Sequence, residues 1–317
     1  MKKITLFLIA TIFFAEFTYA GMPTDTGKWV RGGTFNLNFS ETGYQNWATV
    51  TDNVVTVNSL LSVFAKYTKH KWAWENYGDF AYGQSRLSSI GAFRKSDDRM
   101  NVTSKLGYGA SSKLFYTLLF NFSSQFTPGY TYASASDKTG ILNSNFLAPA
   151  KIELSLGIDY KPNSYLSVFF SPFANRIILC TDTNLSKIYL APRAQDETKI
   201  NGVVQTVAAK NYRYEFGSSL KFLFQKDVMK NVNLKSRLEF FTDYLDHEHN
   251  VDVYWDFIFS MKVNKYISAS AGATMIYDND IAVPLQTSVG GVEGYYGASG
   301  PRLQIRHTLG VGLAYKF

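Results

Sequence analysis

The sequence has little cysteine, little proline and no long apolar run beyond its first twenty residues. With one cysteine, Cys180, it cannot form an internal disulfide. With 8 prolines and no low-complexity tract, it shows no disordered linker and no domain boundary. No later stretch approaches the roughly eighteen apolar residues of a membrane-spanning helix. The single cysteine excludes a domain stabilised by internal disulfides, and the lack of a long apolar run excludes a helical membrane protein.

Aromatic residues are abundant in this chain. They make up 16% of the 317 residues, and hydrophobic residues make up 46%. The mean hydropathy is nevertheless only −0.11, so apolar and polar residues are interleaved along the chain. A transmembrane β-barrel requires this interleaving, because its side chains face lipid and lumen in turn.

The amino terminus has the pattern of a targeting segment. Lys2 and Lys3 precede an apolar stretch, Ile4 to Phe14, and Thr18-Tyr19-Ala20 offers small residues for cleavage. We therefore predict a secretory signal peptide over residues 1–20 and one outer-membrane β-barrel domain over residues 21–317. Cys180 lies far from this cleavage site and is not expected to anchor a lipid.

The stretch from Arg302 to Phe317 shows the clearest alternation. Large, mostly apolar residues occupy every second position, and the residues between them are polar or small. Successive side chains of a strand point to opposite faces, and this stretch is longer than the five or six residues of a usual soluble strand. It therefore predicts a membrane strand. Its final alternate residues, Leu313, Tyr315 and Phe317, resemble the signal that the barrel-assembly machinery reads in outer-membrane proteins.

The same period of two predicts eleven earlier strands, so the expected fold is all-β, a transmembrane antiparallel up-and-down β-barrel of about 12 strands. Pro172 has no backbone N–H to donate to a neighbouring strand, so we expect a bulge or an early end in the seventh strand. The eleven predicted strands are Trp29 to Ser40, Asn53 to Tyr67, Trp72 to Gln84, Asp98 to Ala110, Leu114 to Phe126, Ala150 to Lys161, Tyr165 to Leu179, Asn211 to Gln225, Asn231 to Leu245, Val251 to Val263 and Tyr266 to Tyr277.

The predicted connections alternate between short and long. Short turns such as Lys69-His70 and Asn264-Lys265 alternate with longer segments such as Leu87 to Asp97 and Cys180 to Lys210. Outer-membrane barrels have short periplasmic turns and longer external loops. An even number of strands with both ends in the periplasm fits this alternation.

Charged residues of both signs fall on the predicted inner face. Two interpretations remain open at this point: a narrow hydrophilic pore, or a salt-bridge network that fills the barrel. The balance of signs predicts weak ion selectivity in either case. The predicted lumen-lining residues are Glu75, Asp79, Lys105, Glu153, Asp159, Arg213, Glu215, Lys221, Lys235, Arg237, Glu239, Asp243, Asp252, Asp256, Lys262 and Arg306.

Enzymatic chemistry is not expected. His307 interrupts the apolar stripe of the last strand, but no serine stands two residues away on its face, so an interfacial histidine is the simpler interpretation. We predict no catalytic residue, no metal and no cofactor. The basic excess of +7 comes without a basic run, which predicts no nucleic-acid partner. The expected partners are outer-membrane lipid and, during biogenesis, the barrel-assembly machinery, and the sequence does not identify a further protein partner.

Several stretches together resemble a known family. They include NFSETGYQNWA from Asn38, FTPGY from Phe126, APAKIELSLGIDYKPN from Ala148 and GPRLQIRHTLGVGLAYKF from Gly300. The mature chain resembles an uncharacterised family of Bacteroidota outer-membrane proteins that is classed as a domain of unknown function. The resemblance implies an outer-membrane β-barrel and supplies no activity. A passive pore or small-solute transporter is therefore the first functional hypothesis. The alternative is a structural or interaction barrel with a charge-filled lumen that acts through its external loops. A lipid hydrolase is the third hypothesis and is less favoured than the other two.

Overall fold

The computed structural model describes residues 27–42, 53–88, 90–132, 137–163, 165–190, 198–200, 203–205, 210–246, 249–264, 267–279, 286–289, 292–295 and 300–317. The predicted signal peptide, residues 1–20, lies outside the described residues. No helix in these ranges is long and apolar enough to cross a membrane.

Strands dominate the described structure. In chain order the elements are β1 Trp29–Thr42, β2 Val54–Lys69, β3 Trp72–Leu87, β4 Phe93–Gly109, β5 Leu114–Ser124, β6 Gly129–Thr131, β7 Ile141–Ser144, β8 Ala150–Asn163, β9 Leu166–Leu179, α1 Thr183–Tyr189, β10 Thr198–Ile200, β11 Val203–Gln205, β12 Tyr212–Met229, β13 Val232–Asp243, β14 Asp252–Lys262, β15 Ile267–Tyr277, β16 Gln286–Val289, β17 Val292–Tyr295 and β18 Gln304–Lys316.

Twelve of these strands form a closed barrel in the order β1-β18-β15-β14-β13-β12-β9-β8-β5-β4-β3-β2. Each pair of neighbours is antiparallel, and β18 closes the ring by pairing with β1, with Leu37 opposite Leu313. Closure leaves the barrel without an exposed edge. The predicted all-β, twelve-stranded antiparallel barrel is confirmed.

Two predicted boundaries are wrong, since β12 continues past Gln225 to Met229 and β4 begins before Asp98. The connection expected from Leu87 to Asp97 is shorter, because β4 already begins at Phe93 and pairs with β3 there, Arg86 opposite Phe93. The extra pairing includes a register shift between Gly83 and Gln84. Charged residues occupy successive positions in this part of β4, so the sequence shows no period of two to reveal the pairing.

Pro172 produces the expected bulge in β9. The register with both neighbouring strands shifts at this point, and the strand then continues. Buried, inward positions before the bulge are Phe169 and Ser171, whereas after it they are Ala174 and Arg176. The extra residue therefore moves the inward positions from odd to even numbers, and it brings Arg176 into the lumen.

The outer face of the barrel is apolar and ends in an aromatic rim. Leu118 and Leu156 are exposed midway along their strands. At the end where the short turns lie, which we call the short-turn end, the rings of Trp29 and Trp74 are 5.4 Å apart and those of Trp72 and Tyr108 are 5.0 Å apart. An exposed apolar surface of this kind would be unfavourable in water, and aromatic rims lie at membrane interfaces.

The opposite end carries the long connections, and we call it the long-connection end. Helix α1 lies here, and the side chain of Asp182 caps it by accepting hydrogen bonds from the backbone N–H groups of Asn184 and Leu185. The hydroxyl of Tyr189 donates a 2.7 Å hydrogen bond to the carbonyl oxygen of Asn143. The connection from β9 to β12 is thereby attached to the one from β5 to β8.

Candidate functional site in the barrel lumen

Alternation along β8 directs a row of charges into the barrel. Glu153, Ser155 and Asp159 share the inner face and are each at most 1% exposed. Asp159 lies near the short-turn end of β8, and Glu153 lies near its long-connection end. Each carboxylate belongs to a separate group of ion pairs.

The first group, the Asp159 network, consists of Glu75, Lys105, Asp159, Lys161 and Ser167. The Asp159 carboxylate lies 2.5 Å from the ammonium of Lys105 and 3.6 Å from that of Lys161, and it accepts a 2.5 Å hydrogen bond from Ser167. Lys161 also lies 3.6 Å from Glu75 on β3, with β4 and β5 between the two strands. The network therefore connects strands that are not neighbours in the ring.

The second group, the Arg176 network, is centred on the guanidinium of Arg176. Its nitrogens lie 3.4 Å from Glu215, 3.6 Å from Glu239 and 3.3 Å from Asp252. The same guanidinium stacks 3.5 Å above the ring of Phe241. The ion pair between Arg176 and Asp252 joins β9 to β14, and β12 and β13 lie between these two strands in the ring.

Lys221 extends the Arg176 network toward β8. Its ammonium lies 2.8 Å from Glu153 and 3.3 Å from Glu239. Arg213 adds a contact of 3.3 Å from its Nε to Glu215. A buried carboxylate would be strongly destabilising without such partners, so the network satisfies charges that the barrel closure has desolvated.

An apolar contact between side chains of β2, β3 and β14 narrows the lumen. Leu60 on β2, Ala81 on β3 and Ile258 on β14 are buried against one another. In the ring, β2 and β14 are separated by β1, β18 and β15. The contact therefore crosses the interior and leaves the remaining space on one side of it.

That space is a cavity of about 360 Å³. Eight strands line it, β3, β4, β5, β8, β9, β12, β13 and β14. Its charged lining comprises five cationic side chains and three carboxylates: Lys105, Lys151, Lys221, Lys235 and Arg237, with Asp79, Glu153 and Glu239. A cavity of this size falls within the range of about 300–1,000 Å³ that is usual for small-molecule sites.

Most of the predicted lumen-lining residues belong to the cavity, to the Asp159 network or to the Arg176 network. Seven of them line the cavity: Asp79, Lys105, Glu153, Lys221, Lys235, Arg237 and Glu239. Glu75 and Asp159 belong to the Asp159 network, and Arg213, Glu215 and Asp252 belong to the Arg176 network.

Four predicted residues remain. Asp256 accepts a 3.0 Å hydrogen bond from Thr274, and it lines a smaller space of about 100 Å³ beside Arg237. Asp243 accepts hydrogen bonds from the backbone N–H groups of Phe216 and Leu245. Lys262 is exposed at the end of β14, and Arg306 lies on β18 opposite Thr274, with its side chain outside the described part of the structure.

The predicted assembly residues share the outer face of β18. Leu313, Tyr315 and Phe317 are 60%, 66% and 57% exposed, and the rings of Tyr315 and Phe317 stack with centroids 6.2 Å apart. Their reading by the assembly machinery stays a prediction.

The lumen charges outside the predicted list include Arg176, Lys151 and Lys161. Arg176 was missed because the bulge at Pro172 changes which residues face inward, and the bulge itself was the available signal. Lys151 and Lys161 stand two residues from Glu153 and Asp159 on β8 and share their inner face, so the period of two already placed them there.

The fold and interior define a closed twelve-stranded β-barrel with an apolar outer face and a charged lumen. The family model described as a protein of unknown function, DUF3078, matches residues 39–130. Among curated proteins, none matches this chain.

The chain is similar to solved outer-membrane proteins at very low identity. The translocator domain of the autotransporter NalP from Neisseria meningitidis is 9% identical, with a TM-score of 0.39 over 94% of this chain and 91% of that one. An outer membrane channel from Pseudomonas putida F1 is 10% identical, with a TM-score of 0.37 over 96% and 100%. The NanC porin is 8% identical, with a TM-score of 0.35 over 89% and 98%.

Proposed function

We propose that this barrel is a passive channel of narrow bore that admits small hydrophilic solutes across the outer membrane. The observation that carries the proposal is the cavity of about 360 Å³ inside the barrel, with its charged lining. A barrel that served only as a membrane anchor would gain stability from apolar filling, because buried ion pairs are often no more stabilising than well-packed apolar side chains.

The membrane location rests on the outer surface. Apolar side chains such as Leu118 and Leu156 are exposed there, and the aromatic rim that includes Trp72 and Tyr108 bounds them at the short-turn end. This arrangement suits lipid on the outside and polar groups on the inside. The predicted signal peptide agrees with export to the outer membrane, and lipid and the assembly machinery are the partners that this location implies.

Conductance in planar lipid bilayers tests the channel. We expect discrete current steps from the purified, folded protein. Leu60→Ala removes side-chain volume from the apolar contact that narrows the lumen, so its conductance should exceed that of the wild type. Leu118→Ala makes the same chemical change on the outer face and serves as the matched control, with unchanged conductance expected. No current above background at several voltages would sink the channel proposal.

A second candidate is a filled barrel that acts through its long connections. The specific observation in its favour is that the Asp159 network, the Arg176 network and the Leu60–Ile258 contact all join strands that are not neighbours, and so occupy part of the lumen. Under this proposal neither the wild type nor Leu60→Ala conducts, although both give the heat-modifiable band of a folded barrel on gels.

Catalysis does not form part of the proposal. His307 is exposed on β18, on the outward side with Tyr315. Hydrolysis of phospholipid by the folded protein, abolished by His307→Ala, would revive an enzymatic function.

A further inference from the structure

Two cations of the cavity differ from Lys105 and Lys221. Arg237 and Lys151 both line the cavity, yet neither forms an ion pair with any residue that the structure describes. Lys105 and Lys221, in contrast, contact carboxylates at 2.5 Å and 2.8 Å. The positive charge of Arg237 and Lys151 is therefore not cancelled by a direct contact in the described structure.

The nearby carboxylates are already engaged. Glu153 and Glu239 both contact Lys221. Asp79 accepts a 2.7 Å hydrogen bond from Ser62, and Asp256 accepts one of 3.0 Å from Thr274. The lining itself carries five cationic side chains and three carboxylates, which is a surplus of cations.

The two cations occupy different parts of the lining. Lys151 is on β8 and Arg237 is on β13, and β9 and β12 lie between these strands in the ring. A molecule in the cavity can therefore meet positive charge from both strands. In a space shielded from bulk water, such charges attract an anion more strongly than exposed charges would.

The neutral part of the lining offers hydrogen bonds. Asn101, Thr103, Asn121, Ser123 and Gln225 line the cavity with amide and hydroxyl groups. Among them, Asn121 donates to Thr103 at 2.8 Å and to Asn101 at 3.1 Å, so the groups are held in place. Such groups suit a solute that carries hydroxyls, since a buried hydroxyl is costly unless it is hydrogen-bonded.

We infer that the cavity is a binding site for small hydroxylated organic anions, with Arg237 and Lys151 as the groups that attract the negative charge. The inference rests on the proposed channel function and names the class of solute. It departs from the weak selectivity expected from the balanced charges of the inner face. The numbers of positive and negative side chains on the inner face are balanced, but the ion pairs that form leave Arg237 and Lys151 without a direct carboxylate contact among the described residues.

Gluconate and glucose are the probes, because they are similar in size and differ in the carboxylate. We expect gluconate, added to the folded protein in detergent, to give a saturable binding isotherm by calorimetry, and glucose to give none. Arg237→Gln and Lys151→Gln should each weaken gluconate binding about tenfold, as expected for losing one charge-assisted hydrogen bond. Lys113→Gln removes a charge from an exposed turn and should bind like the wild type. The heat-modifiable band verifies that each variant is folded.

Selectivity in bilayers is the second measurement. Under a potassium chloride gradient, the reversal potential of the wild type should favour chloride, and both cavity variants should shift it toward zero. A conducting channel that favours potassium, or that does not respond to the two variants, would overturn the inference while the channel proposal stands. A barrel without conductance would overturn the channel, and the absence of gluconate binding to it would overturn the anion site as well.

Discussion

Gly33 and Phe317 join the first and last strands of the barrel through a reciprocal pair of backbone hydrogen bonds. The N–H of Gly33 donates to the carbonyl oxygen of Phe317, and the N–H of Phe317 donates to that of Gly33, both at 3.0 Å. The ring of Phe317 also occupies the space beside Gly33, where a Cβ atom would come within 2.6 Å of it. The closure of the barrel between β1 and β18 therefore requires glycine at position 33.

Deleting Phe317 should impair assembly more than His307→Ala does. The deletion removes both hydrogen bonds to Gly33 and one ring of the stacked pair with Tyr315. His307 lies in the interior of β18 and is exposed, so truncating its side chain leaves the ladder intact. The fraction of heat-modifiable barrel in outer-membrane preparations measures the difference. Equal fractions for the two variants would contradict the prediction.

Gly217→Ala should destabilise the barrel, and Gly107→Ala should not. A Cβ at Gly217 would collide with the backbone carbonyl oxygen of Thr242, so the strands would have to separate, at a cost of about 1–3 kcal/mol. At Gly107 the nearest atom, the hydroxyl of Thr117, is 3.4 Å away, and alanine there gains up to about 1 kcal/mol from reduced backbone entropy.

The midpoint of urea unfolding, followed by tryptophan fluorescence, compares the two glycine variants. Matching midpoints for Gly217→Ala and the wild type would show that β12 and β13 do not pack as closely as described.

Arg176→Gln should lower the unfolding free energy by about 3–5 kcal/mol, since it leaves buried carboxylates without their shared cation. Glu215, Glu239 and Asp252 would then lie near one another with less compensation. The control is Arg99→Gln, which removes an arginine whose side chain is 36% exposed and contacts Asp97 at 3.2 Å. Its expected effect is about 0–1 kcal/mol. Similar losses from both variants in urea unfolding would argue against a central role for Arg176.

Cys180 should react slowly with a maleimide in the folded barrel. Its side chain is fully buried, and burial raises the pKa of its thiol, which reduces the reactive thiolate at any given pH. The rate should rise as the pH is raised and become fast in urea.

A cysteine at the exposed turn residue Ser111, introduced into a Cys180→Ala background, gives the reference rate. Labelling is followed by mass spectrometry. Equal rates for Cys180 and the turn cysteine would show that the region around α1 opens readily.

Strand positions were predictable because alternation is a local property. On β8, Ile152, Leu154 and Leu156 alternate with Glu153 and Ser155, so pattern and structure agree residue by residue. The start of β4 was not predictable, because charged residues follow one another there and only the pairing with β3 defines the strand.

The sequence by itself determined the barrel. A period of two over twelve long strands leaves one apolar and one polar face, and only ring closure pairs every strand of such a set. Tertiary structure alone decided which charges meet inside. Arg176 and Asp252 are 76 residues apart and lie on strands that are not neighbours, so no local pattern could pair them. The same closure left Arg237 and Lys151 facing the cavity, because the curvature of the wall sets which side chains come within reach across the lumen.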